Sequence, residues 1–236
     1  AGVLGSAVGM DKAAAKDLFT AHNIPQVRHR TLRESEWKAD REEILKSIRN
    51  RFLPPLFTKP ANLGSSVGIT KVNDFKDLDE AVRTAFDFDR KIIIEQGVAG
   101  KELECSVLGD ENPRASLPGE VIPARDFYDY QDKYLDGKTS FKLPADIPAE
   151  MTEKIRRLAV KAYRALDCSG MGRVDFFLED GSGRLYVNEI NTIPGFTEIS
   201  MYPKLWEISG LPFAELLDTL IDLGLKRHLR KKSVRP

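Results

Sequence analysis

Hydrophobic residues along the chain follow two periods, and segments of both kinds are spread over the whole sequence. Apolar positions recur every three or four residues in the segments that we expect to be helices, namely 10–23, 34–51, 74–88, 149–165, 203–208 and 212–225. Short β-rich runs occupy 53–59, 69–72, 91–95, 102–108, 119–123, 172–177 and 185–191. The chain is therefore expected to contain both helices and strands.

A glycine-containing connector divides the chain into two parts. The continuous apolar run 91–95 ends in an acid, and Gly97-Val98-Ala99-Gly100 separates it from the alternating run 102–108. We therefore expect a smaller lobe over 1–96, which includes an N-terminal linker helix, and a larger lobe over 97–236.

Charge and composition exclude several kinds of partner. The 36 Lys and Arg residues balance the 36 Asp and Glu residues, so no overall field would attract nucleic acid or an anionic membrane. No run approaches the ~20 apolar residues of a membrane span, and residues 1–10 have no basic leader. Cys105 and Cys168 are too few for a disulfide framework, so we expect buried thiols in a reducing compartment.

Oxygen-bearing side chains converge on one predicted hairpin, whose turn is 179–183. Glu189 and Asn191 are two positions apart in a strand, so they project to one side, and Asp175 can join them from the partner strand. Carboxylates and an amide carbonyl suit Mg²⁺. The alternative is a solvated polar face with no ligand.

Two further segments have open interpretations. The Gly/Ser loop 61–68 either brings backbone N–H groups close to phosphate oxygens or is an ordinary hairpin. The long irregular stretch 125–144 is either a lid or a loop anchored by its tyrosines. The sequence lacks the P-loop, protein-kinase and G-x-G-x-x-G patterns, so a nucleotide site would have to be built another way.

Six motifs along the chain indicate how a nucleotide site could be built without those patterns. They are MDK at 10–12, KPANLGSSVG from Lys59, EQGVAGKE from Glu95, FYDYQDKYLDG from Phe127, GRVDFF from Gly172 and NEINTIPGFT from Asn188. In this order they resemble the D-alanine–D-alanine ligase family of ATP-grasp enzymes, nearly from end to end. The resemblance implies two α+β lobes with antiparallel sheets that hold ATP between them.

The resemblance also implies roles for individual residues. Those matched to nucleotide binding are Lys12, Lys59, Ser66, Val67, Gly68, Glu95, Gln96, Val98, Glu102 and Lys133. Those matched to two Mg²⁺ ions, or Mn²⁺, are Asp175, Glu189 and Asn191. Those matched to catalysis are Arg173, Gly195, Ser65 and Tyr134, and those matched to the second substrate are Ser200 and Met201.

The implied reaction is the ATP-dependent joining of two D-alanines through an acyl phosphate, in the cytoplasm, for peptidoglycan precursors and thus cell-wall synthesis and cell shape. The family also implies a homodimer for the full-length enzyme. Alternatives are a ligase with D-lactate or D-serine as acceptor, or a nucleotide-binding module without turnover. The sequence departs from the pattern in two ways, because no HGxxGE-type domain precedes MDK and Leu63 stands where some members carry an acid.

Overall fold

The computed structural model describes residues 1–122, 140–197 and 199–233, which form helices around two sheets. The described α-helices are α1 (Val3–Met10), α2 (Lys12–Ala21), α3 (Glu34–Arg51), α4 (Leu78–Phe86), α5 (Ala149–Ala165), α6 (Met201–Ile208) and α7 (Phe213–Ser233). The described strands are β1 (His29–Arg33), β2 (Leu56–Pro60), β3 (Thr70–Val72), β4 (Lys91–Gln96), β5 (Gly100–Gly109), β6 (Arg114–Ala115), β7 (Gly119–Ile122), β8 (Ser140–Lys142), β9 (Gly170–Glu179) and β10 (Leu185–Asn191).

Every strand pair in the two sheets is antiparallel. The first sheet has the order β1-β4-β2-β3, and the second has the order β10-β9-β5-β7-β8, with β6 paired to β5. The chain passes from one sheet to the other between Gln96 and Gly100. The predicted α+β class is therefore confirmed.

Each sheet buries one face under helices. Ile92 and Ile94 of the first sheet lie in a core that α3 and α4 cover. Val174 and Phe176 of the second sheet lie in a core under α5, whose apolar stripe is that of an amphipathic helix. The opposite faces are partly covered as well: Leu108 and Val121 of the second sheet pack against α6, and Ile93 of the first sheet packs against Ala13 of α2.

Helix α2 contacts both sheets. Its Ala13 packs with Ile93 of the first sheet and with Ala61, which follows β2, whereas Phe19 and Ala15 join the core of the second sheet. The division at 96 and 97 remains a prediction for the lobes, and α2 links them.

Several element boundaries differ from those expected. Strand β1 was not predicted, because only Leu32 of its five residues is buried and the apolar pattern is weak. Helix α1 was not predicted either. Helix α7 continues to Ser233, so the basic residues near the end of the chain, from Lys226 to Lys232, belong to the end of a helix. Strand β8 lies within 125–144, the stretch that was expected to be irregular. None of the helices in the described ranges is long and apolar enough to cross a membrane.

Candidate active site

A β-bulge decides which side chains of β10 point away from the core under α5. Val187 pairs with Phe176, but Glu189 pairs with Asp175, so one extra residue is inserted between the two pairs. In a regular strand Val187 and Glu189 would share a face. The bulge turns Glu189 away from the core and places it directly opposite Asp175.

Arg173 lies on the same face and is tied to two carboxylates. Its Nε and Nη2 each donate a 2.7 Å hydrogen bond to Asp175, one to each oxygen. Its Nε is also 3.1 Å from Glu104 Oε2 on β5. Burial alone would lower the pKa of Arg173, but Asp175 and Glu104 outweigh it and raise that pKa further, so the guanidinium is a fixed positive charge.

The facing surface of the first sheet holds a buried cluster of two lysines and one glutamate. Glu95 lies between Lys59 Nζ and Lys16 Nζ, each 2.5 Å from one of its oxygens. Burial by itself would raise the pKa of Glu95, but the two ammonium groups prevail and hold that pKa far below its usual range. Lys59 is in turn kept charged, because Glu95 raises its pKa against the effect of burial.

Lys12, at the start of α2, contacts both the Gly/Ser loop and the second sheet. Its Nζ donates a 2.6 Å hydrogen bond to the carbonyl of Leu63 in the Gly/Ser loop and is 3.4 Å from Glu189 Oε2. Its backbone N–H donates to the carbonyl of Ala61 at 2.9 Å. Glu189 and Glu102 also raise the pKa of Lys59, so carboxylates of the second sheet act on a cation of the first.

The Gly/Ser loop has an unusual backbone. Ser65 and Ser66 have φ values of 52° and 60°, which are uncommon for residues with a side chain, and Gly68 has φ of 71°. The Val67 N–H donates to the carbonyl of Gly64 at 3.2 Å, which closes a turn. Such strained loops cluster at ligand-binding sites, and the predicted phosphate contacts of this loop remain a prediction.

The hinge residues lie where the chain passes from the first sheet to the second. The side chain of Gln96 accepts a hydrogen bond from the Leu53 N–H at 3.1 Å and donates one to the Leu53 carbonyl. Val98 lies half-buried in the connector, and Glu102 follows on β5. The predicted adenine and ribose contacts of these residues are not tested by the fold.

The segment after β10 carries the predicted substrate residues. Ser200 Oγ accepts a hydrogen bond from the Thr197 N–H at 3.0 Å and lies 2.8 Å from Thr197 Oγ1. Gly195 approaches so closely that a Cβ there would lie 2.9 Å from Ser200 Oγ. Met201 is buried with Val121 and Leu205, so its side chain packs between α6 and the second sheet.

The donor set fits a hard divalent cation. Asp175 and Glu189 are cross-strand partners, and Asn191 pairs with Arg173 on the same face. Within the described ranges no cluster of three or more His, Cys, Asp or Glu side chains is arranged to hold a metal. A metal here would therefore depend on two carboxylates, the Asn191 amide and oxygens from outside the chain, which is how Mg²⁺ is commonly held beside phosphates.

Comparison with known proteins gives the family. The protein-family model described as "D-ala D-ala ligase C-terminus" matches residues 18–222 of the chain. The chain belongs to the D-alanine–D-alanine ligase family. It is 56% identical over 236 residues to the D-alanine–D-alanine ligase of Solibacter usitatus, which covers all of this chain and 70% of that relative.

Two solved structures share the fold. A D-alanine-D-alanine ligase from Coxiella burnetii superposes with a TM-score of 0.86 at 39% identity and covers 98% of this chain and 61% of its own. VanG, a D-Ala:D-Ser ligase from Enterococcus faecalis, gives a TM-score of 0.83 at 39% identity, with 93% and 63% covered. The chain thus spans about two thirds of the length of these family members, and they confirm the ATP-grasp fold that its motifs imply.

Not every predicted residue can be placed. Lys133 and Tyr134 lie outside the described residues, so their roles stay predictions. Two residues of the site were missed, Lys16 and Glu104. Lys16 lies four residues after Lys12, on a helix turn that brings both toward the first sheet, and this spacing was the available signal. Glu104 follows Glu102 by two positions and therefore shares its face.

Proposed function

We propose that this chain carries the nucleotide-binding and catalytic part of an ATP-dependent ligase that joins two D-alanines. One observation supports this most strongly: Arg173, Lys59 and Lys12, together with Asp175 and Glu189, line the facing surfaces of two antiparallel sheets. Phosphoryl transfer needs cations around developing negative charge, and this surface supplies fixed ones.

The chain's own residues have separable tasks. Lys12 and Lys59 hold ATP phosphates, and the Gly/Ser loop covers them. Arg173 stabilises the negative charge that develops when the carboxylate of the first D-alanine takes the γ-phosphoryl group and the amine of the second attacks. Ser200 holds the carboxylate of the second substrate. Excluding water protects the acyl phosphate from hydrolysis.

Asp175, Glu189 and Asn191 would hold the metal, two Mg²⁺ or Mn²⁺ ions. When bound, these ions neutralise phosphate charge and polarise the transferred group. Arg173 shares Asp175 with this site, so its guanidinium would lie beside a metal held there. We further propose a cytoplasmic reaction, where ATP is supplied, and a homodimer for the full-length enzyme.

A substrate panel tests the assignment. D-alanine-dependent release of phosphate from ATP, with D-alanyl-D-alanine as product, is the expected result. Preference for D-lactate or D-serine over D-alanine as acceptor would overturn it in favour of a second candidate, which the similarity to VanG, described as a D-Ala:D-Ser ligase, makes specific. Binding of ATP and Mg²⁺ without dipeptide, even with the remaining part of a full-length relative supplied in trans, would indicate a module without turnover.

A further inference from the structure

Lys16 is a buried charged residue, and burying a charged side chain costs free energy unless it is paired. Its side chain is 2% exposed, and it reaches from α2 to Glu95 Oε1 at 2.5 Å. Glu95 Oε2 is 2.5 Å from Lys59 Nζ. A single carboxylate thus separates two ammonium groups, and all three residues lie between α2 and the first sheet.

The charges of this triad do not cancel. Two ammonium groups and one carboxylate leave one positive charge, and a buried net charge is costly unless something compensates it. Lys59 is the more open of the two lysines, with 11% of its side chain exposed. The surplus charge is therefore available to a ligand at Lys59, whereas Lys16 is enclosed and cannot reach one itself.

We propose that Lys16 is a positioning residue that neutralises Glu95 and so leaves the charge of Lys59 available to nucleotide phosphates. This inference rests on the proposed function and deepens it. Without Lys16, Glu95 would neutralise Lys59 alone, and the triad would lose its net positive charge. With Lys16 in place, Glu95 fixes Lys59 in position, while the triad keeps one unit of charge.

The test compares ADP with adenosine, because only ADP carries phosphates. In Lys16→Met the affinity for ADP, measured by calorimetry at fixed Mg²⁺, should fall about tenfold, the size expected for losing one charge a few ångströms beyond the contact in a partly buried site. The affinity for adenosine should stay within about twofold, since its binding does not depend on that charge. An equal loss for both ligands would overturn the proposal and indicate a merely structural role.

A double variant separates charge from packing. Adding Glu95→Gln to Lys16→Met removes the carboxylate as well, so the cluster again has one positive charge, on Lys59. The ratio of ADP affinity to adenosine affinity in the double variant should recover to within about threefold of the original chain, whatever Glu95 itself contributes to adenosine binding. If ADP binding relative to adenosine binding stays as weak as in Lys16→Met, the proposal is overturned, because the positive charge of Lys59 would be available without strengthening phosphate binding. Lys16→Arg, which keeps the charge, should retain ADP binding.

Lys91→Met is the matched control. Lys91 is on the same strand as Glu95, four residues earlier, and is ion-paired with Asp11. Removing the Lys91 ammonium should leave the ADP affinity within about twofold of the original. A loss of ADP affinity equal to that of Lys16→Met would overturn the proposal, because any nearby lysine would then have the same effect. If the original chain binds neither ADP nor adenosine, the proposed function is wrong. If the original chain binds both, and Lys16→Met binds them with the same affinities, only the proposed role of Lys16 is wrong.

Discussion

The guanidinium of Arg173 holds both oxygens of the Asp175 carboxylate, with two hydrogen bonds of 2.7 Å from Nε and Nη2. The two residues are two positions apart on β9 and therefore share one face of the second sheet. This pair joins the predicted anion-stabilising group to the predicted metal ligand, so neither can move without affecting the other.

Arg173→Lys should lower the turnover number at least about 100-fold despite the retained charge, because an ammonium cannot reproduce the planar fork on Asp175 while also facing Glu104. Turnover is measured as D-alanine-dependent release of phosphate. Arg157→Lys, on the exposed face of α5, is the control and should behave like the original chain. Turnover of Arg173→Lys within about threefold of normal would remove the fork from the mechanism.

Glu189→Gln should weaken Mn²⁺ binding, followed by electron paramagnetic resonance, and reduce turnover at least about 100-fold, because one of two carboxylates in the ligand set becomes a neutral amide. The substitution also removes the carboxylate that lies 3.4 Å from Lys12 Nζ. Glu207→Gln, exposed on α6, should change neither quantity. Unaltered Mn²⁺ affinity in Glu189→Gln would exclude Glu189 from the metal site.

Gly68→Ala should destabilise the chain by about 1–3 kcal/mol and weaken nucleotide binding, because φ at Gly68 is positive and an added methyl group has no room. A Cβ there would lie 2.7 Å from Phe88 Cδ2 and 2.8 Å from Pro60 Cγ. Gly64→Ala in the same loop meets nothing within 4 Å and is the matched control. Urea unfolding gives the free energy of unfolding of Gly68→Ala and of Gly64→Ala. Equal stability of these two variants would contradict the prediction.

Glu95→Gln should cost stability in a pH-dependent way. The pKa of Glu95 is held far below its ordinary value of 4.5 by Lys16 and Lys59 against the opposing effect of burial, so its contribution is fully present above pH 4.5 and is lost as the pH falls toward the folded-state value. The free energy of unfolding should therefore differ between original and variant by about 3 kcal/mol near pH 7 and by less near pH 3.5.

Urea titrations at the two pH values decide this. A difference that stays constant with pH would show that the carboxylate is not stabilised by its two lysines. Glu43→Gln, on the exposed side of α3, should leave the free energy of unfolding within about 0.5 kcal/mol at both values.

How far sequence reasoning reached depended on the strength of the local pattern. The boundaries of α5 were predicted as they are found, because its apolar residues recur with a clear helical period over 17 residues. Strand β1 was missed because a five-residue edge strand with one buried side chain carries little signal. Helix α3 contains a kink at Asp40, whose position the apolar residues of 34–51 do not reveal.

The sequence by itself determined the α+β class, the two-lobed order and the residue types of the site, since periodicity and motifs are local properties. Only the tertiary structure decided how those residues meet. Regular alternation would put Glu189 on the same face as buried Val187, and the bulge between them, which depends on pairing with β9, turns Glu189 toward Asp175. The triad of Lys16, Glu95 and Lys59 likewise required α2 to lie against a strand about 80 residues away in the sequence, a contact that packing creates and no local pattern encodes.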